Sequence, residues 1–422
     1  MNGKTIFLGL GLILGCCFSA RADESVAVQP PRPLGRLVQW LDPRTSPFIP
    51  IPEIATDPNG GTTVGLLPVF LLTDAQQQIR RIVAVDVTHN STLGVGGGVR
   101  VLAYPSDDVQ WYVTASGAEQ IARSLDILYS MGLTRQARWS VDTRLVYDRD
   151  PTNRFFGLGN HSNDRRESNY TTEQGYVEAR VGLNLSPAVQ LALDIRPRFV
   201  QIEHGAFSSR PFIGKEFAHL RGLRSANEIL TSLVLSYDTR DSLTIPRHGN
   251  QVVVFAGLAD RHFFSSVSYS LFGLDIRHFR PLSDRITLAM HFAFRYMPVG
   301  TSAPFWALSH LGGDRSSTGY QQPLRGFGSG RFVDNNLSVA NIELRTQVFA
   351  LDLFTTHAVF EVAPFIDIGR VFHDLDANPF SQLHPVGGLG FRGIAAPFIV
   401  GYVDIGYGSE GAAIFTGVNY PF

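Results

Sequence analysis

From Thr62 onward the sequence changes polarity at every second residue, in segments of about ten residues divided by turn signals. In Trp139 to Asp148, Trp139, Val141, Leu145 and Tyr147 share one side, opposite Ser140, Asp142, Arg144 and Asp148. In Val189 to Phe199, Val189, Leu191, Leu193, Ile195 and Phe199 oppose Gln190, Asp194, Arg196 and Arg198. In Ile286 to Tyr296 the apolar side runs Ile286, Leu288, Met290, Phe292, Phe294, Tyr296, against Thr287, His291 and Arg295. Val339 to Phe349 repeats the pattern, with Ala340, Ile342, Leu344 and Val348 against Asn341, Glu343, Arg345 and Gln347. A period of two belongs to extended chain, and no comparable helical period occurs. Alternation alone does not name the solvent. The apolar sides carry no charge, however, while the polar sides carry both signs. The chain therefore reads as all-β, a 16-stranded antiparallel transmembrane β-barrel with lipid outside and a hydrated lumen.

Composition agrees. Charged residues make up 17% of the 422 residues, against about 25% in ordinary soluble proteins. Mean hydropathy is near zero, too polar for a bundle of membrane helices. The single long apolar run, Ile6 to Phe18, follows Lys4 and precedes Ala20-Arg21-Ala22. It is too short to span a bilayer, so residues 1–22 read as a secretory signal peptide. Both cysteines, Cys16 and Cys17, lie inside it. A lipoprotein reading of Leu14-Gly15-Cys16 ranks second. The mature chain then has neither disulfides nor thiol chemistry. Lys+Arg and Asp+Glu nearly cancel, at 36 against 37, which gives no sign of a nucleic-acid partner.

Residues 23–61 hold Pro30, Pro31, Pro33, Pro43, Pro47, Pro50, Pro52 and Pro58. Proline at that density blocks regular pairing, so this segment reads as an extended periplasmic leader. Residues 62–422 then form the barrel. Short turns (Ser186 to Ala188, Pro281 to Asp284, Gly393 to Pro397) fit the periplasmic side, and long stretches (Asp150 to Tyr170, His204 to Ala226, Pro298 to Asn335, His373 to Leu383) the outside. Counting yields seventeen strands. Both ends should be periplasmic, which requires an even number, so Val109 to Met131 is taken as one strand bulged at Ser116 to Glu119, giving sixteen. Pro68 should remove a ladder bond from the first strand, and Pro421 from the last. Phe422, with Tyr420 and Gly417 before it, looks like the assembly signal that barrel-assembly machinery reads on a final strand.

The order Gly312-Gly313, Leu324-Arg325-Gly326-Phe327, Asn341-Ile342-Glu343-Leu344-Arg345 resembles the barrel of the BamA/TamA-like outer-membrane insertase superfamily (the bacterial surface antigen family). Phe365-Ile366-Asp367-Ile368-Gly369 and Gly388-Leu389-Gly390-Phe391-Arg392 continue the likeness. So do Phe155 to Asn160 upstream, and Tyr237-Asp238-Thr239-Arg240-Asp241 with Pro246 and Gly249. The resemblance implies that the loop 298–335 enters the lumen and that Arg325, beside Gly326 and Phe327, meets the inner wall. Asp367 and Glu343 are its expected partners, with Gly369 and Arg392 on the same wall. Both carboxylates lie on the polar phase of their strands, and a guanidinium can grip a carboxylate through two parallel bonds. Glycine at Gly326 would allow a tight loop, and Phe327 would anchor it.

The resemblance further implies the outer membrane of a Gram-negative cell and export or insertion of proteins or lipids there. Members of the family carry POTRA domains ahead of the barrel; residues 23–61 are too few for one. Recognition would then fall to a separate periplasmic protein, with outer-membrane lipids as the surroundings. A passive or plugged channel is the alternative. No Gly-x-Ser-x-Gly, His-Glu-x-x-His or Cys/His cluster occurs, so no catalytic residue, cofactor or metal is assigned and the chain is not expected to be an enzyme. N-terminal sequencing of the mature protein should begin at Asp23; retention of residues 1–22, or a lipidated Cys16, would contradict this processing.

Overall fold

Backbone N–H and C=O groups on a lipid-facing strand find partners only on neighbouring strands, so alternation on this scale calls for one continuous sheet. The computed structural model describes residues 48–57, 59–74, 79–298, 302–316, 321–353, 356–395 and 399–422. The expected signal peptide, and the leader as far as residue 47, lie outside the described residues. Among the described residues eighteen strands form one sheet, each antiparallel to its neighbours in chain order. They are β1 (Phe48–Asp57), β2 (Gly61–Thr73), β3 (Ile79–Asn90), β4 (Gly94–Ser106), β5 (Val109–Ala118), β6 (Arg123–Met131), β7 (Trp139–Phe155), β8 (Ser168–Asn184) and β9 (Val189–His204). β10 (Ala226–Asp238), β11 (Gly249–Ala259), β12 (Tyr269–Pro281) and β13 (Ile286–Tyr296) follow. Within the next connection, β14 (Ser309–Leu311), β15 (Gln321–Gln322) and β16 (Phe332–Asp334) make a separate small sheet. The wall resumes with β17 (Asn336–Leu353), β18 (Thr356–Phe372), β19 (His384–Ala395), β20 (Ile399–Gly408) and β21 (Gly411–Val418). No described helix is long and apolar enough to cross a membrane.

The count is eighteen, not sixteen, for two reasons. Val109 to Met131 is a hairpin, β5 against β6 from Val109↔Met131 to Gly117↔Arg123. Its turn closes through the Ala118 N–H on the Ala122 carbonyl, with Ile121 left-handed at φ 62°. The second added strand is β1, inside the segment expected as leader. It pairs with β2 from Phe48↔Phe70 to Asp57↔Gly61. Pro50 and Pro52 are tolerated because the strand pairs on one side only. The neighbouring ladder shows which side. Pro50 stands opposite Pro68, and the β2–β3 register skips Leu67 and Pro68. Pro68 therefore turns its donorless nitrogen toward β3, as expected from sequence, and Pro50 turns its own away from β2. Pro52, in the same phase, does likewise. That free edge lies alongside β21 with no hydrogen-bonded ladder between them.

Burial is inverted relative to a soluble protein. Ile366 is 58% and Phe272 48% exposed, while Glu343 and Asp367 are 0% exposed. The long connections, residues 156–167, 205–225, 260–268, 297–335 and 373–383, all fall at one end of the sheet. The expected turn Gly393 to Pro397 begins later, since Gly393 to Ala395 still belong to β19 and residues 396–398 lie outside the described residues. The apolar core sits inside, where Phe305, Trp306 and Leu308 of the long connection pack under Phe155, Tyr170 and Ile213. Leu324, Phe327 and Phe332 pack against Val339, Phe365 and Val386 of the wall.

Hydrogen exchange checks the edge. The amides of Ile54 and Thr56, which face β21, should exchange at least about tenfold faster than those of Ile51 and Glu53. Equal protection of both sets would contradict an unpaired edge.

Candidate functional site

The connection between β13 and β17 turns back into the lumen because its own small sheet holds it folded. Gly312 and Gly313 start the return at φ 129° and 83°, and a Cβ on Gly312 would stand 2.2 Å from the Gly328 carbonyl oxygen. The Leu324 N–H then meets the Gly313 carbonyl at 3.0 Å, and Arg325 is delivered to the wall.

Arg325 is fully buried. Its Nε and Nη2 donate to the two oxygens of Asp367 at 2.9 and 2.7 Å, and its backbone N–H adds 3.1 Å to the same carboxylate. Nη1 donates to Glu343 and, at 3.1 Å, to Asp404 of β20. Four side-chain N–H bonds thus engage a group that has five. The guanidinium also lies 3.6 Å from the centre of the Phe365 ring. Burial alone would drive Arg325 toward its neutral form; Asp367 and Glu343 outweigh it and hold its pKa well above the usual range.

The cluster extends. Arg392 donates to Asp404 and, at 3.1 Å, to Glu343, while Arg345 Nε reaches Glu343 at 2.9 Å. Three guanidinium groups therefore face three carboxylates with essentially no solvent, and the formal charges cancel. Wall glycines make room for it. A Cβ on Gly406 would stand 2.0 Å from the Arg325 carbonyl oxygen, and one on Gly326 would stand 2.7 Å from the Gly408 nitrogen. Gly326 thus serves close approach to β20, with no positive φ required. Phe327 packs edge-on against Phe332 of the same loop at 5.1 Å and clusters with Val339, Phe365 and Val386 of the wall.

Asp367, Glu343 and Arg392 lie together around the docked guanidinium. Gly369 lies on the same inner face, where a Cβ would meet Val339 at 3.0 Å. Sequence reasoning missed Asp404, although a signal was present. Tyr402-Val403-Asp404-Ile405-Gly406 repeats the aromatic-x-Asp-Ile-Gly pattern of Phe365 to Gly369. Both copies send their aspartate to Arg325.

The end of the chain differs more. β21 stops at Val418, and Asn419 turns the chain inward at φ 74°, so Pro421 lies beyond the strand rather than in its ladder. Phe422 stacks on His291 at 5.2 Å and packs with Phe279 and Ala289. Tyr420 lies under the Arg345 guanidinium at 3.7 Å and donates to Glu361 at 2.8 Å. Of the residues expected as an assembly signal, only Gly417 remains in the strand, packed so closely on Tyr402 that a Cβ would stand 2.6 Å from its hydroxyl oxygen.

The outer motifs clamp the loop from the other side. The Gly159 N–H donates to the Val333 carbonyl at 2.8 Å, and Asn160 accepts from the Val371 N–H at 3.2 Å. Arg331 holds Glu410 at 2.7 Å and the Ser162 hydroxyl at 2.8 Å. The Tyr237 to Asp241 motif instead builds a self-contained turn, with Arg240 gripping Asp238 at 2.7 and 3.0 Å. Among the described residues no group of three or more His, Cys, Asp or Glu side chains is placed to hold a metal ion. The arrangement locks a loop in place.

The family model for the Omp85 superfamily domain matches residues 109–393. Among solved structures, BamA from Haemophilus ducreyi lacking POTRA domains 1-3 is similar over 89% of this chain and 75% of its own, at 13% identity and a TM-score of 0.52. CdiB from Escherichia coli covers 88% of this chain at 13% identity and a TM-score of 0.46, and the chain spans 62% of that protein. No curated protein matches. At 13% identity the likeness to BamA is one of fold.

Trypsin added to the folded protein should spare the bonds after Arg325 and Arg331. Asp367→Ala should expose both and speed their cleavage at least about tenfold. Native cleavage after Arg325 as fast as after exposed Arg165 would contradict docking.

Proposed function

The chain belongs to the Omp85 superfamily, and from that premise we propose that it works as an outer-membrane barrel in the export or insertion of proteins or lipids. In this reading the sheet closes by apposition of β1 and β21, the docked loop is the resting state, and a separate periplasmic protein supplies recognition. The barrel-assembly machinery would insert it, and no catalytic step is assigned to it.

The observation that carries the reading is the pairing of a rigid wall with a weak edge. The Arg325 cluster ties β17, β18, β19 and β20 to one loop, four strands held by charge-assisted bonds. Directly beyond them, β21 meets β1 where Pro50 and Pro52 remove two donors. A closed sheet in lipid leaves no unpaired edge elsewhere, so separation would begin there and expose strand edges to a client.

A second reading, a plugged channel, draws on the same loop. Residues of the 298–335 connection and Phe422 occupy part of the lumen.

Cysteines placed in facing positions of β1 and β21 distinguish the two, since the mature sequence after Ala22 has no cysteine. Oxidation should abolish insertion of a client barrel into proteoliposomes, and reduction should restore it. Undiminished activity in the oxidised form would remove the seam model. A large, constant bilayer conductance of the native protein would favour the channel.

A further inference from the structure

Away from the Arg325 cluster, on the wall formed by β8 to β13, the lumen keeps a cavity of about 200 Å³. Five arginines line it: Arg135, Arg180, Arg196, Arg198 and Arg295. Only Glu178 and Asp194 among its lining residues are acidic. Arg180 pairs with Asp194 at 2.7 Å, and Arg196 with Glu228 at 3.1 Å. Glu228 is further engaged by the Tyr269 hydroxyl at 2.6 Å. These pairs engage Asp194 and Glu228, Glu178 lies 3.7 Å from Arg180, and the five arginines still outnumber the three carboxylates.

What remains is an excess of buried donors. Arg295 is 4% exposed and gives its Nη atoms to neutral acceptors only, Ser309 Oγ at 3.0 Å and the Ala307 carbonyl at 2.8 Å. Arg198 is 8% exposed, with its guanidinium 4.8 Å from the Trp306 ring centre. Arg295 Nε, Arg198 Nε and Trp306 Nε1 are all buried with no hydrogen-bond partner. None of these groups can accept a hydrogen bond. Buried cations in excess of their counter-charges are costly, and a cavity flanked by them favours an anion.

We propose that this cavity is a binding site for a compact oxyanion of the phosphate class. The guanidinium forks match the oxygens of a polyatomic anion better than a bare halide. The volume exceeds one water's share of about 30 Å³ several times over, so a tetrahedral group fits. The phosphate is either a free anion or that of a phosphorylated lipid headgroup; both present the same oxygens to the same donors.

Equilibrium dialysis of the detergent-purified full chain against radiolabelled orthophosphate tests it. One saturable site per chain is expected. Arg198→Gln should weaken it at least about tenfold, the loss of one charge-assisted contact. Arg135→Gln, in a partly exposed turn, should weaken it several-fold, and it decides the matter if Arg198→Gln fails to fold by heat-modifiable gel mobility. Short-chain phosphatidic acid displacing the label more than tenfold better than glycerol 3-phosphate assigns the site to a headgroup; equal displacement assigns it to the soluble anion. Absence of saturable binding, or binding undiminished in both variants, overturns the proposal.

Discussion

Three guanidinium groups and three carboxylates, all removed from water, hold the lumen together. Taking such charges out of water costs more than any one contact returns. The arrangement persists because each charge meets opposite charges. Arg325 is the member that arrives from elsewhere, on a loop rather than on the wall. Without it two arginines would face three carboxylates, an imbalance that the low-dielectric interior penalises. The loop is thus bound by a charge requirement of the wall, not only by apolar contact.

That requirement orders what surrounds it. Glycines appear where the loop backbone must touch the wall, at Gly326 and Gly406, because any side chain there would push Arg325 out of reach. The apolar residues Leu324, Phe327 and Phe332 seal the cluster from the long-loop end. Tyr420 and Phe422 cover it from the short-turn end, against Arg345 and His291. The small sheet of β14 to β16 keeps the loop from unfolding into the lumen. At the opposite extreme is the β1 edge, where two prolines leave the sheet without a ladder to its last strand. Rigidity and weakness therefore lie within a few strands of each other.

Much of this was legible in the sequence, because a two-residue period assigns every side chain to a face. It put Glu343 and Asp367 on the inner side, and the loop motif supplied their cation. The failures have physical causes. Prolines in residues 48–57 suggest blocked pairing, which holds for a central strand but not for an edge. Ser116 to Glu119 resembles a bulge in sequence, since a left-handed Ile121 leaves no mark in composition. The inward turn at Asn419 is a single backbone angle, and an aromatic at the end of a strand-like run looks the same whether it meets lipid or lumen. Asp404 was legible and missed: its motif copies that of Asp367 two strands away.

The most direct test of the central claim is a double-mutant cycle between Arg325 and Asp367, using urea unfolding of the protein in lipid vesicles. If the guanidinium is docked, Arg325→Ala, Asp367→Ala and the pair together should give a coupling energy of about 2–3 kcal/mol, near the upper end for residues in contact. Additive losses, with coupling near zero, would mean that Arg325 is a lumenal charge in water and that the wall does not depend on it.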